Sequence, residues 1–149
     1  MEQQRQAIKI LLVEDDDGHA RLIERNLSKM NPNTPVERVR DGVEALEYLR
    51  NEGSFRDRGR YPRPHMLLLD INMPRMDGIE LLEHLKRDQQ LRCLPVIMLT
   101  STDNQTEIHR CYCAGASGYV AKPVNVVSLG EKLQRLGGFL EIVELPEVA

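Results

Sequence analysis

The sequence has no apolar run long enough to cross a bilayer, which takes about 18 or more consecutive apolar residues. Its first six residues are mostly polar, and they are too few for a secretory leader. We therefore expect a protein that stays in the cytoplasm and has no membrane partner.

Cysteine is also scarce, and the sequence has no excess of basic residues. The three cysteines are an odd number and indicate no disulfide framework, as is usual in a reducing cytosol. Cys111 and Cys113 lie near His109, but no second ligand pair accompanies them, so a zinc site is not expected. The net charge of −3 and pI near 5.8 give no basic field, which argues against nucleic acid as a partner and favours a protein with a specific surface.

The chain is long enough for one domain and too short for two. With 149 residues and 41% hydrophobic content, it can bury a single core. We expect an N-terminal arm over 1–7, one folded domain over 8–136 and a tail over 137–149. The tail is apolar enough to need a packing partner, which is either its own domain or a second copy of the chain.

Short apolar runs alternate with segments of helical periodicity, a pattern that predicts an α/β fold with a parallel sheet. The runs cover 8–13, 36–39, 66–69, 96–99 and 118–121. The first, third and fourth lack polar alternation, which is typical of central strands covered on both faces. The second and fifth are more mixed and suit the edges.

Five helices are predicted between and after these strands. Four apolar stripes define helical faces: Leu22, Ile23, Leu27 and Met30; Val43, Leu46 and Leu49; Leu81, Leu82 and Leu85; Leu129, Leu133 and Leu136. A weaker helix covers 106–114 and ends at Gly115. The long connection over 52–64 carries four arginines, and we interpret it as a solvated loop, with a docking surface for an acidic partner as the alternative.

Polar side chains collect where the strands end. Because the carboxyl ends of parallel strands share one edge of the sheet, these side chains are expected to converge there. They are Glu14, Asp15, Asp16, Asp17, Asp70, Asn72, Thr100 and Lys122. Clustered carboxylates repel one another unless a cation neutralises them, and oxygen ligands without histidine or cysteine suit Mg²⁺. Asp16 and Asp17 are assigned to helix capping instead.

Four motifs in this order closely resemble the bacterial response-regulator receiver family. They are Leu12-Val13-Glu14-Asp15-Asp16, the run from Leu68 through Asp70 and Pro74 to Gly78, Met98-Leu99-Thr100-Ser101, and Gly118-Tyr119-Val120-Ala121-Lys122-Pro123. The resemblance implies a doubly wound, flavodoxin-like sheet of five parallel strands in the order 2-1-3-4-5. It also implies a switch in a two-component phosphorelay.

The resemblance assigns a role to each matching residue. Asp70 is the phosphoacceptor, and Mg²⁺ is held by Glu14, Asp15, Asp70 and the backbone carbonyl of Asn72. Lys122 contacts the phosphoryl group, Thr100 turns inward to bond it, and Tyr119 is the aromatic that moves with Thr100. Pro123 follows Lys122 and carries a cis peptide bond.

A receiver of this kind catalyses its own Mg²⁺-dependent phosphorylation and dephosphorylation, although it is not a conventional enzyme. Phosphohistidine of a histidine kinase is the donor, and Asp70 is the attacking oxygen nucleophile. The long loop, the lack of an output domain and the tail resemble the regulators paired with bacterial phytochromes. The resemblance thus implies a phytochrome-type histidine kinase as partner, a homodimer formed through the last helix and the tail, and an unknown downstream protein.

Other readings of the sequence explain less. A nucleotide-binding domain would need a glycine-rich first turn, where this chain has Glu14, Asp15, Asp16 and Asp17. A nucleic-acid-cleaving or priming fold would need an Asp-x-Asp pair at Asp70, and it leaves Lys122 unexplained. An interaction scaffold that is never phosphorylated is the remaining alternative, and it gives no reason for the full set of chemical residues.

Overall fold

Five apolar segments form one parallel sheet in the computed structural model, which describes residues 9–30, 35–100 and 104–121. The strands are β1 Ile10–Val13, β2 Val36–Val39, β3 Met66–Asp70, β4 Val96–Thr100 and β5 Gly118–Ala121. They lie in the order β2-β1-β3-β4-β5, all parallel, which confirms the predicted topology. Strands β3 and β4 each extend one residue beyond the predicted apolar run. Asp70 and Thr100 are therefore the last residues of these strands and not the first residues of the following loops.

Four α-helices connect the strands among the described residues. They are α1 Asp17–Met30, α2 Gly42–Leu49, α3 Gly78–Arg87 and α4 Gln105–Cys113, and a short 3₁₀ helix covers Gly53–Phe55. The fifth predicted helix, with Leu129, Leu133 and Leu136, lies outside the described residues, as do the arm over 1–7 and the tail over 137–149. Within the part described, no helix has the length and apolar character needed to span a membrane.

The two faces of the sheet form two separate cores, because successive side chains of a strand point to opposite faces. Leu11, Val13, Leu67 and Leu69 pack with α2, α3 and α4 on one face. On the other face, β1 and β3 contribute Ile10, Leu12, Met66 and Leu68, which pack with α1. This confirms the doubly wound arrangement.

The predicted apolar face of α1 was wrong at Leu22. Its side chain is 41% exposed, whereas Ala20, Ile23 and Leu27 are buried against the sheet. Residues 20, 23 and 27 follow the spacing of a single helical stripe, and Leu22 falls beside that stripe. An exposed leucine is ordinary on a protein surface and carries no function by itself.

The arginine-rich loop over 52–64 packs around an aromatic cluster. The rings of Tyr48, Phe55 and Tyr61 lie 5.1 to 5.8 Å apart, and the Tyr48 hydroxyl donates to the carbonyl of Pro62 at 3.1 Å. Asn51 stands at φ +52° and donates from its amide to the carbonyls of Phe55 and Tyr61. The loop therefore has a defined conformation, with Arg56, Arg58 and Arg60 exposed around a small aromatic core and Arg63 half-buried.

Candidate functional site

Three carboxylates, two from the loop after β1 and one from the last residue of β3, converge at the carboxyl edge of the sheet. One oxygen each from Glu14, Asp15 and Asp70 lies within 4.8 Å of the other two. The side chains of Glu14 and Asp70 are buried, and Asp15 is exposed. Acids this close repel one another when ionised, so the arrangement is suited to a cation between them. No other group of three such ligand residues occurs within the described ranges.

Glu14 is fixed by the strand next to β1. Its N–H donates to the Val39 carbonyl at 3.1 Å, and its own carbonyl accepts from Nε and Nη2 of Arg38 at 3.0 and 2.8 Å. The N–H of Asp16 donates to Oε1 of Glu14 at 3.3 Å. Arg38 also forms an ion pair with Asp17 at 2.7 Å and so ties β2 to the start of α1. The sequence analysis missed Arg38, because this contact joins residues 24 positions apart.

Asp16 caps α1 as predicted, and Asp17 lies in the first turn, where an acid interacts favourably with the helix dipole. Oδ1 of Asp16 accepts from the N–H of His19 at 2.8 Å, and its carbonyl accepts the helical bond from Ala20. Asp17 is the first residue of α1 and pairs with Arg38 and Arg40. The hydrogen bond from Arg38 is the largest cause of a lowered pKa for Asp17, and the positive charge of Arg40 adds to it.

Asp70 is positioned by close backbone packing on both sides. Beyond it, the N–H of Ile71 donates to Leu99 at 3.1 Å, and the N–H of Asn72 donates to Oδ1 of Asp70 at 3.3 Å. Gly78 returns the chain to this point, with its N–H donating to the Ile71 carbonyl at 2.8 Å. A Cβ at Gly78 would lie 2.9 Å from the Ile71 Cα and closer still to the Asp70 carbonyl oxygen, so only glycine fits here.

Of the remaining predicted site residues, Thr100 and Tyr119 lie in described strands. Thr100 ends β4, paired in register with Ala121 of β5, which is the residue before Lys122. Tyr119 lies on β5, half-buried, with its ring 6.1 Å from the exposed ring of Tyr112 on α4. Lys122 and Pro123 lie outside the described residues, so their roles stay predictions.

The three acids match the ligand chemistry of a hard divalent ion. Mg²⁺ is bound in proteins by carboxylate and carbonyl oxygens about 2.0–2.1 Å away, and it retains several waters. With Glu14 and Asp70 buried and Asp15 exposed, one side of the cluster is open to solvent. The donor set therefore fits Mg²⁺ or Mn²⁺, whose geometry is octahedral, better than zinc.

A cysteine and a histidine also lie close together on α4, away from the acidic cluster in sequence. Sγ of Cys113 lies 3.4 Å from Nε2 of His109, one helical turn away, and both are exposed. Cys111 is buried, and burial raises the pKa of its thiol. One cysteine and one histidine are fewer than the three or four protein ligands by which zinc is usually held.

The family model for the response regulator receiver domain matches residues 10–134, which is most of the chain. The chain belongs to the response regulator receiver family. Its acidic cluster, the strand end at Asp70 and the glycine at position 78 all lie inside the matched range.

Two relatives of this receiver are similar to it over most of their length. Response regulator Rcp1 of Synechocystis is 33% identical over 138 residues, covering 92% of each chain. The probable methanogenesis regulatory protein FilR2 of Methanothrix harundinacea is 37% identical over 128 residues, covering 85% of this chain and 79% of the relative. Both relatives are thus described as regulatory proteins, and this receiver is similar to each over most of its length.

Solved structures similar to this receiver include regulators of light signalling. Response regulator RPA3017, described as acting in red light signalling of R. palustris, has a TM-score of 0.81 and 31% identity, covering 93% of this chain and 98% of that one. The phosphorylated cyanobacterial phytochrome response regulator RcpA has a TM-score of 0.78 and 35% identity, covering 95% and 99%. The Mn²⁺-bound form of response regulator Rcp1 has a TM-score of 0.74 and 32% identity, covering 93% and 99%.

Proposed function

We propose that this receiver accepts a phosphoryl group on Asp70 from a histidine kinase and signals through a phosphorylation-dependent protein contact. The observation that carries the proposal is the convergence of Glu14, Asp15 and Asp70 within 4.8 Å at the open edge of the sheet. Glu14, Asp15, Asp70 and the Asn72 carbonyl would hold Mg²⁺. When bound, the ion supplies positive charge to the equatorial oxygens of the transferred group.

Each residue of the site has a defined task in this proposal. A carboxylate oxygen of Asp70 attacks the phosphorus atom, and the imidazole nitrogen of the kinase phosphohistidine leaves with the bonding electrons. Asn72 limits the rotation of Asp70 through its N–H bond to Oδ1. Lys122 is proposed to bind the phosphoryl oxygens, and Thr100 and Tyr119 to change arrangement once the group is in place, shifting the population between two states.

The partner proposed for this receiver is a phytochrome-type histidine kinase in the cytoplasm. The support is its similarity to RPA3017 and RcpA, which are described as red-light and phytochrome response regulators. We also propose a homodimer formed through the tail over 137–149, with residues 8–136 as the folded domain. The downstream protein is identified only by its chemistry, as one that discriminates the phosphorylated form.

Intact-mass measurement after incubation with acetyl phosphate and Mg²⁺ tests the proposed reaction. The expected result is the gain of one phosphoryl group by the wild-type chain and no gain by Asp70→Asn. Addition of EDTA in excess of Mg²⁺ is expected to abolish the gain, because the acids can no longer be neutralised by the ion.

Asp77→Asn is the matched control for that experiment. It removes one carboxylate from the same loop, but asparagine caps a helix as well as aspartate does, so the bond from Oδ1 of residue 77 to the N–H of Glu80 is retained. The control variant is expected to be phosphorylated like the wild type. A wild-type chain that gains no mass from acetyl phosphate or from a phytochrome kinase would instead support an unphosphorylated interaction scaffold.

A further inference from the structure

The loop between Asp70 and α3 contains a turn that few residues adopt. The carbonyl of Pro74 accepts a hydrogen bond at 2.7 Å from the N–H of Met76, only two residues ahead. Arg75 lies between them at φ +66°. A three-residue turn with a positive φ at its centre is rare and strained for any residue with a Cβ.

A strained backbone conformation persists only where surrounding contacts fix it. Here the contact is made by the side chain of the strained residue itself. Nε and Nη2 of Arg75 both donate to Oδ2 of Asp41, the Nε bond being 3.0 Å long. Asp41 is 6% exposed and lies just before α2.

Asp41 is in turn held rigidly. Its other oxygen, Oδ1, accepts from the N–H of Glu44 at 2.9 Å, which caps α2. The same two loops also pack against each other at Gly42, where a Cβ would lie 3.0 Å from the side chain of Met76. Two charge-assisted hydrogen bonds to a single oxygen of Asp41 therefore hold the turn at Arg75 against the N-terminus of α2.

The turn is joined to the acidic cluster by a short segment with fixed ends. Asn72, three residues before Arg75, bonds to Asp70, and Gly78, three residues after it, packs on the Asp70 carbonyl. A movement of the turn would therefore be transmitted to the ligands at Asp70 and Asn72. Contacts behind a metal ligand commonly change metal affinity, because they set the orientation of the ligand.

We infer that Arg75 is a positioning residue, whose ion pair with Asp41 sets the affinity of the acidic cluster for divalent cations. The inference rests on the proposed function in using the same cation site. It adds that Arg75, which in the described part of the chain forms its hydrogen bonds with Asp41 and not with a predicted metal ligand, determines how well the ligands are arranged. The coupling extends from the N-terminus of α2, across the β3–α3 loop, to Asp70.

Mn²⁺ titration of the unphosphorylated chain, followed by electron paramagnetic resonance of the free ion, tests this inference. Arg75→Ala is expected to weaken Mn²⁺ binding about 10-fold, as is typical for loss of a contact that orients a ligand. Arg75→Lys keeps the charge, and it is expected to restore most of the affinity. Asp41→Asn keeps the helix cap and removes the charge, so it should weaken binding as much as Arg75→Ala does.

Three further variants separate the ion pair from other causes. Arg75→Gly relieves the positive φ but lacks the ion pair, so it should bind Mn²⁺ as weakly as Arg75→Ala does. The double variant Asp41→Asn with Arg75→Ala should be no weaker than the worse single variant, because both remove one interaction. Arg87→Ala breaks a 3.9 Å surface pair with Glu83 and is expected to leave binding unchanged. Circular dichroism and urea midpoints verify that each variant is folded.

The outcomes distinguish the two proposals. Unchanged Mn²⁺ affinity in Arg75→Ala, wild-type affinity in Arg75→Gly, or an equal loss in Arg87→Ala overturns the role of Arg75. A wild-type chain that binds Mn²⁺ but takes no phosphoryl group overturns the proposed function alone, and the comparison of variants still decides on Arg75. A folded wild-type chain that binds no Mn²⁺ overturns both.

Discussion

Among the glycines that the structure describes, Gly78 has the least room for a side chain. Alanine there would place its Cβ against the Asp70 carbonyl and the Ile71 Cα, and backbone atoms cannot move aside cheaply. We expect Gly78→Ala to lower the free energy of unfolding by about 2–3 kcal/mol. It should also weaken Mn²⁺ binding, since the displaced backbone belongs to Asp70. Urea denaturation and the same titration measure the two effects.

Gly59→Ala is the control for that substitution. The nearest atom to a Cβ at Gly59 is Oδ1 of Asp57 at 3.2 Å, on an exposed side chain that can shift. We expect a change in unfolding free energy within about 0.5 kcal/mol and no change in Mn²⁺ affinity. Equal losses for both substitutions would mean that alanine in place of glycine, and not the contact at Asp70, causes the effect.

The lowered pKa of Asp41 leads us to expect that the stability of the fold depends on pH. Burial would raise its pKa, but hydrogen bonds from the Glu44 N–H and from Arg75 outweigh burial and lower it. Because the pKa of the folded form lies below the unfolded value of about 3.9, the ionised group stabilises the fold above that value. This contribution is lost as the pH falls through the unfolded value toward the folded one.

Comparison of melting temperatures tests that dependence. Asparagine at position 41 does not titrate. The melting temperature of the wild type should therefore exceed that of Asp41→Asn by the largest margin at neutral pH. The difference should shrink as the pH is lowered below about 5. A difference that grows toward low pH would contradict a lowered pKa for Asp41.

The sequence predicted the acids of the site but not the residues that hold them. Glu14, Asp15 and Asp70 follow apolar runs, and the rule that strand ends share an edge is sufficient to bring them together. Arg38, Asp41 and Arg75 act through contacts between distant loops, for which a single sequence gives no periodic signal. Of these three residues, only Arg75 has a local signal in the sequence. It follows Pro74 in a segment that also contains Gly78, and both residue types are typical of turns.

At the level of elements, the connection over 52–64 owes its conformation to Asn51. Its amide donates to two carbonyls, and its φ of +52° is one that asparagine tolerates better than most residues. We expect Asn51→Ala to lower the free energy of unfolding by about 2 kcal/mol. Trypsin should then cleave faster after Arg56, Arg58 and Arg60, because the loop opens more often.

Asn51→Gly separates the two contributions of that residue. Glycine accepts the positive φ but cannot donate to Phe55 and Tyr61, so it should be less destabilising than alanine by about 0.5–1 kcal/mol. Trypsin cleavage rates should rank wild type, glycine and alanine from slow to fast. Slower cleavage of the alanine variant than of the glycine variant would show that φ at this position does not matter.

Elements with strong patterns were predicted well, and those with weak patterns less so. The buried runs of β1, β3 and β4 and the stripe Leu81, Leu82 and Leu85 were placed in the core as expected. The face of α1 was misassigned at Leu22, because two adjacent apolar residues fit the stripe about equally well in sequence. The aromatic cluster around Tyr48 was missed, since its members are spread over two elements and a loop.

At the scale of the whole molecule, we expect residues 137–149 to serve assembly and not the chemistry at Asp70. A chain ending at residue 136 should still gain a phosphoryl group from acetyl phosphate. In analytical ultracentrifugation it should sediment as a monomer, whereas the full-length chain should sediment as a dimer. Unfolding of the shortened chain, or a monomeric full-length chain, would contradict this division.

The position of β2 at one end of the sheet restricts how other proteins can recognise this receiver. The strand is only four residues long, and the charged pair Glu37 and Arg38 stands in the middle of it. Short, charged strands of this kind discourage a foreign peptide from extending the sheet by main-chain pairing. At the β2 edge of the sheet, the choice of partner therefore depends on the shape and charge of side chains. Single substitutions can change this specificity without altering the backbone.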